Sequence, residues 1–173
     1  MATAFEPMTG KLDDTDRGIL RELQEDGRIS YTELGRRVAL TAPAVADRVR
    51  RLEEAGVITG FRAEVNPAVL GYPITAFIRW TSPGPDCAHL GEVAKDIPEI
   101  LECHRITGEE SYILKVATTS VGHLERLLDR LMPHGSTITS VVLSSSVTHR
   151  PIGIEEELEP AARRRRRGAR MSA

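Results

Sequence analysis

LTAPAVADRVRRLEEAGVI, Leu40 to Ile58, decides how the first third of this chain folds. Thr41 suits a helix N-cap, and Pro43 falls in the first turn, where a missing N–H costs nothing. Gly56 supplies the stop. At about 100° per residue, Val45, Val49 and Leu52 point together toward a small core. The opposite side gathers Pro43, Ala44, Asp47, Arg50 and Arg51, with Arg48 at its shoulder. Small residues at the start of such a helix let its backbone approach a groove closely, and guanidinium groups suit guanine edges and phosphates.

Upstream, Leu12, Ile19, Leu20 and Leu23 recur at helical spacing behind Asp13, Asp14 and Asp16, acids suited to a helix N-terminus, and Gly27 ends that helix. ISYTELGRRV predicts a short second helix, with Ser30 as N-cap, Glu33 completing a capping box and Ile29 stapled on Leu34. Downstream, VITGFRAEV sets Phe61, Ala63 and Val65 against Arg62 and Glu64, with Gly60 for a tight turn, and predicts a small hairpin or wing. The pattern is a winged helix-turn-helix whose second motif helix carries the arginines. That placement favours double-stranded DNA over a merely solvated helix whose arginines pair with Asp47, Glu53 or Glu54. Thr41, Pro43, Ala44, Asp47, Arg48, Arg50 and Arg51 are the candidate DNA-binding residues. Asp47 either accepts from a cytosine amino group or orients Arg50 or Arg51.

NPAVLGYP, residues 66–73, carries two prolines and a glycine and reads as a linker. Beyond it the rhythm is strand, helix, strand, strand, helix, strand. ITAFIRW is the first strand, and SPGPD breaks it. Leu90, Val93, Ala94 and Ile97 stripe a helix that Pro98 closes. ILECHRIT and YILKVAT, joined by GEES, form a hairpin. Leu124, Leu127, Leu128 and Leu131 stripe a second helix between Ser120 and Pro133, and TITSVVLSSSV is the last strand. The order βαββαβ predicts a ferredoxin-like domain with helices on one face of an antiparallel sheet and the other face open to a partner, hence a dimer. The expected fold is therefore α+β. Its divisions are a flexible N-terminus (1–11), a winged helix-turn-helix (12–65), the linker (66–73), the ferredoxin-like domain (74–149) and a charged, disordered tail (150–173).

Composition agrees with such a protein. The 173 residues are 40% hydrophobic, enough for two small cores, and no apolar run approaches the ~20 residues that span a bilayer. The start, MATAFEPMTGKLDD, lacks the regions of a signal peptide, so a cytoplasmic location is expected. Cys87 and Cys103 have neither CxxC spacing nor a disulfide framework. The net charge of −2 hides an asymmetry: six arginines, Arg163 to Arg167 and Arg170, follow Pro160 with no acid among them. Without them 17 basic residues face 25 acidic ones, a body of −8. Contact with nucleic acid must then come from local patches or from the tail.

LDDTDRGILRELQEDGRISYTELGRRVALTAPAVADRVRRLEEAGVITGFRAEVNPAVLG closely resembles the N-terminal half of the leucine-responsive regulatory protein and asparagine-operon regulator (Lrp/AsnC) family. The Asp-x-x-Asp opening, DGRIS, RVRRLE and G-x-I-x-G-(F/Y) carry the resemblance, and ECHRITGEESYILKV looks like that family's ligand-sensing domain. The resemblance implies a transcription regulator that forms dimers and octameric rings of dimers. It also implies a small effector, commonly an amino acid, bound between dimers beside the loop joining the two central strands. Here the corresponding residues are Arg105, Thr107, Gly108, Glu109, Glu110, Ser111 and Tyr112, with Val141 to Ser144 as further contributors. The usual loop is close to Gly-Asp-x-Asp-Tyr; Ser111 replaces its second aspartate, exchanging a charged partner for a neutral one. No cofactor, catalytic residue or metal ligand is expected.

Two rivals stand beside this reading. Sirohaem decarboxylases share the architecture and use a histidine with basic residues, and this chain has five histidines. Cys103 and His104, however, are strand neighbours and point to opposite faces. His89, His123, His134 and His149 have no ligand spacing and read as surface residues. The second rival is an effector-independent architectural protein, favoured by RRRRRGAR, which neutralises phosphates without reading sequence, although the acids of GIEEELEP could screen it in cis.

Overall fold

The computed structural model describes residues 12–82, 88–108 and 111–154. The expected N-terminal segment 1–11, Cys87, Glu109, Glu110 and the tail from residue 155 lie outside the described residues. Two compact units form: one holds the described residues of Met1–Ala63 and His149–Ala173, the other those of Glu64–Thr148.

In the first unit, α1 (Asp14–Glu25), α2 (Tyr31–Arg37) and α3 (Ala42–Glu54) enclose Ile19, Leu34, Val45, Val49 and Leu52. Ile29 packs against this cluster, which includes Leu34, the residue on which it was expected to staple. At the start of α1 the Asp16 N–H donates to Asp13 (2.7 Å) and the Asp13 N–H donates to Asp16 (3.3 Å), a full capping box. Only half of the box expected at α2 forms. Ser30 accepts from the Glu33 N–H at 3.2 Å, but the Glu33 carboxylate turns away to Arg36 (2.8 Å) and Arg37 (2.8 Å). Those two guanidinium groups hold its carboxyl down at about 2.

The turn between α2 and α3 is built around one glycine. Ala39 adopts a left-handed φ of 55°, and the Leu40 N–H donates back to the Gly35 carbonyl at 2.8 Å. A Cβ on Gly35 would lie 2.5 Å from the Leu40 carbonyl oxygen, a backbone atom that cannot step aside. α3 is also tied to α1. Arg48 Nη1 donates to Asp13 at 2.6 Å and to Asp16 at 2.7 Å, joining both members of the capping box. With the Asp16 N–H, this contact lowers the Asp13 carboxyl below the usual carboxylate range.

Two expectations for chain direction fail. Residues 57–66 pair in no strand; the Val57 and Ile58 N–H groups close onto the Leu52 carbonyl instead. Phe61 and Val65 are 47% and 58% exposed, so the anticipated wing has no buried face, and a two-stranded ribbon without one is marginal. The final strand is also shorter than TITSVVLSSSV. β1 (Ile74–Thr81) begins just after Pro73, so β4 (Ser136–Val141) has only one further main-chain bond, from the Val142 N–H to the Thr75 carbonyl.

Otherwise the second unit has the predicted order. Its remaining elements are α4 (Ala88–Lys95), β2 (Ile100–Arg105), β3 (Tyr112–Thr118) and α5 (Val121–Leu131). The linker contains a short 3-10 helix, Pro67–Leu70, and another, Met132–His134, follows α5. The sheet runs β2-β3-β1-β4, all antiparallel, with Ile78 opposite Leu114 and Thr139. One face buries Ala76, Ile78, Trp80, Leu114 and Val116 against Leu90, Ala94, Leu124, Leu127 and Leu131 from the two helices. Trp80 is fully buried, with its indole N–H unpaired, and a Cβ on Gly135 would lie 2.2 Å from the Thr81 carbonyl. The other face leaves Phe77 and Ile138 40% and 54% exposed.

Replacing Gly35 by Ala is expected to destabilise the first unit by about 1–3 kcal/mol despite alanine's better helix propensity, because the turn must shift. Denaturant unfolding checks this. Arg48→Met is expected to cost up to about 1 kcal/mol at neutral pH, the range of a solvent-screened pair. Because the Asp13 carboxyl is lowered in the folded state, its share is present above about pH 4 and fades as pH falls through the folded value. The gap between variant and wild type should therefore narrow below about pH 4 in an unfolding series.

Candidate nucleic-acid interface and effector loop

α3 owes its two faces to its cap and its spacing. Thr41 accepts from the Ala44 N–H (3.4 Å) and Pro43 occupies the first turn, which fixes where the helix starts. From that start Val45, Val49 and Leu52 fall inward, leaving Pro43, Asp47, Arg50 and Arg51 exposed and Ala44 half-buried. Asp47 bonds to Arg50 and lies 3.4 Å from Arg51 Nε, so one carboxylate holds two guanidinium groups on the same outer surface. Asp47 thus contacts both of the arginines that the sequence offered it as partners. The carboxylate beside both arginines is that of Asp47.

Arg48 departs from the expectation for it. Its side chain is only 24% exposed and is turned to Asp13 and Asp16 of α1, not outward with Arg50 and Arg51. Its position one turn from Leu52 and Val45 places it on the flank facing α1, where two carboxylates compete for it. The motif RVRRLE thus contains two kinds of arginine: a tie within the unit and a pair on its surface.

The loop at the other candidate site is partly described. Arg105 ends β2 and is exposed, as are Thr107 and Gly108, the latter with φ 124°. Ser111 is committed to the neck of the hairpin. Its N–H donates to the Trp80 carbonyl (3.1 Å), its carbonyl accepts from Ile106 (3.1 Å), and its hydroxyl oxygen accepts from the Ser82 N–H (3.2 Å). Tyr112 is buried at 7% exposure in the helix-side core, its hydroxyl 3.1 Å from where a Gly91 Cβ would stand. Tyr112 therefore shapes the loop from beneath. Val141 pairs with Ala76 near the opposite end of β1 from Trp80, about 13 Å away along the strand, so within one chain Val141–Ser144 does not join the loop.

A second feature escaped the sequence. At the far end of the β2–β3 hairpin a cavity of about 350 Å³ is lined by linker residues Val65, Pro67, Leu70 and Tyr72 and by Pro98, Glu99, Leu101, Ala117 and His123. Glu99 is 11% exposed; it accepts from His123 Nε2 (2.9 Å) and from Arg130 (3.2 Å). Burial would raise its carboxyl, but the His123 hydrogen bond and the Arg130 charge leave it below the usual value. The Thr119 N–H donates to His123 Nδ1 at 3.3 Å, so the ring proton sits on Nε2, toward Glu99. His123 is thus no plain surface residue. No periodicity signals this cluster, because its members come from a strand entry and two positions of α5. His89 and His134 also meet, with ring centroids 5.4 Å apart. Cys103 packs toward the core while His104 is exposed, as strand alternation requires. Among the described residues no group of three His, Cys, Asp or Glu side chains is placed to hold a metal, and no helix is long and apolar enough to cross a membrane.

Comparison with known proteins gives both units a family. Residues 12–59 match the winged helix-turn-helix DNA-binding family, and residues 75–152 match the Lrp/AsnC ligand binding domain. The HTH-type transcriptional regulator YezC of Bacillus subtilis is 46% identical over 138 residues, covering 80% of this chain and 98% of YezC. The solved structure of LrpC from the same organism superposes with a TM-score of 0.75 at 34% identity, covering 80% of this chain and 99% of LrpC. A feast or famine regulatory protein of M. tuberculosis, complexed with L-methionine, gives 0.77 at 37% identity, covering 80% and 97%. With these two domain matches in the order of the two units, and relatives of this identity over most of its length, the chain belongs to the Lrp/AsnC family of transcriptional regulators.

Proposed function

We propose that this regulator seats α3 in the major groove of DNA and responds to an amino acid held at the loop between β2 and β3. The observation that carries the DNA reading is the outward pair Arg50 and Arg51, positioned by Asp47 on the face opposite the buried Val45, Val49 and Leu52. Thr41, Pro43 and Ala44 bring the helix start close to the groove, and the arginines offer forked donors to guanine edges or phosphates. Arg48 acts behind that surface by fixing α3 to α1.

The exposed apolar Phe77 and Ile138 on the uncovered sheet face support assembly as a homodimer, and higher rings of dimers extend it. Such assembly also resolves the distance between Val141–Ser144 and the loop, since these segments can meet from different copies. An effector works as a switch only by binding one assembly better than another. Arg105, Thr107 and Gly108 present exposed groups for an amino acid, while Ser111 and Tyr112 hold the loop in place. Glu109 and Glu110 are candidates to take an ammonium group. The regulator acts in the cytoplasm, on double-stranded DNA.

Arg51→Ala is expected to weaken binding to a footprinted promoter fragment by roughly 1–3 kcal/mol, with a smaller loss on mixed-sequence DNA. Protected half-sites should lie about one helical turn apart or a multiple of it. An equal loss on both DNAs would make Arg51 a phosphate contact only. L-Methionine, the ligand in the related M. tuberculosis structure, is the first effector to test. At about a hundred times its dissociation constant it should add about 2.7 kcal/mol to native stability in a thermal-shift measurement. No shift with any common amino acid at millimolar concentration would remove the effector half of the proposal.

A further inference from the structure

The cavity at the far end of the β2–β3 hairpin has walls fixed by main-chain bonds on two sides. All its lining residues lie between Glu64 and Thr148, within the second unit. The linker wall is closed by its own backbone. Asn66 accepts from the Ala68 N–H (3.0 Å), and the Tyr72 N–H donates to the Pro67 carbonyl (2.9 Å) past Gly71 at φ 87°. The sheet wall is tied where the Ala117 N–H donates to the Glu99 carbonyl at 3.0 Å. At about 350 Å³ the cavity stands at the lower end of small-molecule pockets, roughly 300–1,000 Å³. It is remote from the β2–β3 loop, since Tyr112 and Ala117 are about 17 Å apart along β3.

The chemistry of the walls is one-sided. Most of the lining is apolar, and Leu70 and Leu101 remain 64% and 52% exposed, surface that a guest would cover. One acid, Glu99, lines the cavity, and no lysine or arginine does. The partners of its carboxylate come from α5: His123 Nε2 at 2.9 Å, and Arg130 Nη1 at 3.2 Å from each oxygen. A carboxylate accepts about four hydrogen bonds, so capacity is left for a further donor. His123 has no donor to spare, because its Nε2 proton points to Glu99 and its Nδ1 faces the Thr119 N–H and hydroxyl. Burial would raise the Glu99 carboxyl, but His123 and Arg130 leave it below the usual range and therefore charged at neutral pH. A guest must then bring an apolar body and a cationic donor. A guest carboxylate would meet Glu99 with no lysine or arginine in the wall to receive it.

We propose that this cavity is a second small-molecule site, separate from the β2–β3 loop, that takes a small hydrophobic amine lacking a carboxylate, with its ammonium group on Glu99 and its apolar body against Leu70, Tyr72 and Leu101. The ammonium group makes a charge-assisted hydrogen bond to the remaining acceptor position of Glu99, and the apolar body removes Leu70 and Leu101 from water. Val65, Pro67, Leu70 and Tyr72 come from the linker side, so a bound amine joins that segment to β2 and α5. The site disfavours amino acids by their carboxylate, and its ligand class thus differs from the one proposed for the loop.

The test uses the full-length protein, titration calorimetry and two probes of similar shape and opposite charge, phenethylamine and hydrocinnamate. Wild type should bind the amine at least about tenfold more tightly than the acid, the scale of one charge-assisted contact. Glu99→Gln keeps the shape of the side chain and should lower amine affinity at least about fivefold. Leu70→Lys, at an exposed position that tolerates substitution, should weaken the amine and narrow the preference between the probes. If Glu99→Gln unfolds early, Leu70→Lys decides by itself. L-Methionine at millimolar concentration should leave the amine bound. An amine that L-methionine displaces, with both variants binding it as wild type does, would place the probe at the loop and overturn the proposal. Wild type that binds neither probe, or both equally, would also overturn it. A lower assembly state of Leu70→Lys in sedimentation would in that case assign the cavity to contact between copies.

Discussion

The approach of Gly35 to the Leu40 carbonyl governs the first unit, because the direction of α3 depends on it. A side chain at that position would displace the turn, and the turn places Thr41 where it caps α3. Once the cap is fixed, the helical period assigns Val45, Val49 and Leu52 to the core and Arg50 and Arg51 to the outside. Ala39 accepts a left-handed backbone to close the same turn, a conformation that costs a non-glycine residue about 1–2 kcal/mol. The presentation of two arginines on the surface is thus secured by a contact among backbone atoms well behind them.

Ion pairs then divide the arginines by task. Arg48 braces α3 against the capping box of α1, Arg37 ties α2 to Glu22 of α1, and Arg36 pairs within α2 with Glu33. The Asp47 carboxylate lies at the surface between Arg50 and Arg51, where it restrains two long side chains that the proposed contact with DNA would use. A restrained pair loses less rotamer freedom on binding than two free ones, at the cost of exchanging a carboxylate for phosphate or base. The second unit uses the same economy at Glu99, where a histidine and an arginine share one nearly buried carboxylate.

The fold was largely legible in the sequence because its signals are local. Thr41 with Pro43, Ser120 before α5 and the apolar stripes of α3, α4 and α5 each specify an element without knowledge of its neighbours. The antiparallel sheet with helices on one face followed from the order of elements alone. What the sequence did not reveal depends on tertiary choice. Glu33 could bond the N-cap backbone or two arginines, and only the positions of Arg36 and Arg37 decide it. The alternation in VITGFRAEV resembles a hairpin, but only Ile58 packs on the core, and Phe61, Ala63 and Val65 stay exposed. Arg48 and Arg51 are indistinguishable as letters; the angle between α1 and α3 separates them. The Glu99 cluster and its cavity assemble from distant segments and leave no periodic trace.

Trp80 is the only tryptophan in the chain, and it sits at the neck of the hairpin, where its carbonyl receives the Ser111 N–H. Its indole is wholly enclosed and its ring nitrogen finds no acceptor among the described residues. An enclosed, unbonded indole emits at short wavelength, and any movement of the neck that admits water or an acceptor shifts that emission to the red. The protein therefore carries its single tryptophan, which can be excited apart from its three tyrosines, at the base of the β2–β3 loop, so rearrangement there can be followed optically in the unlabelled native chain.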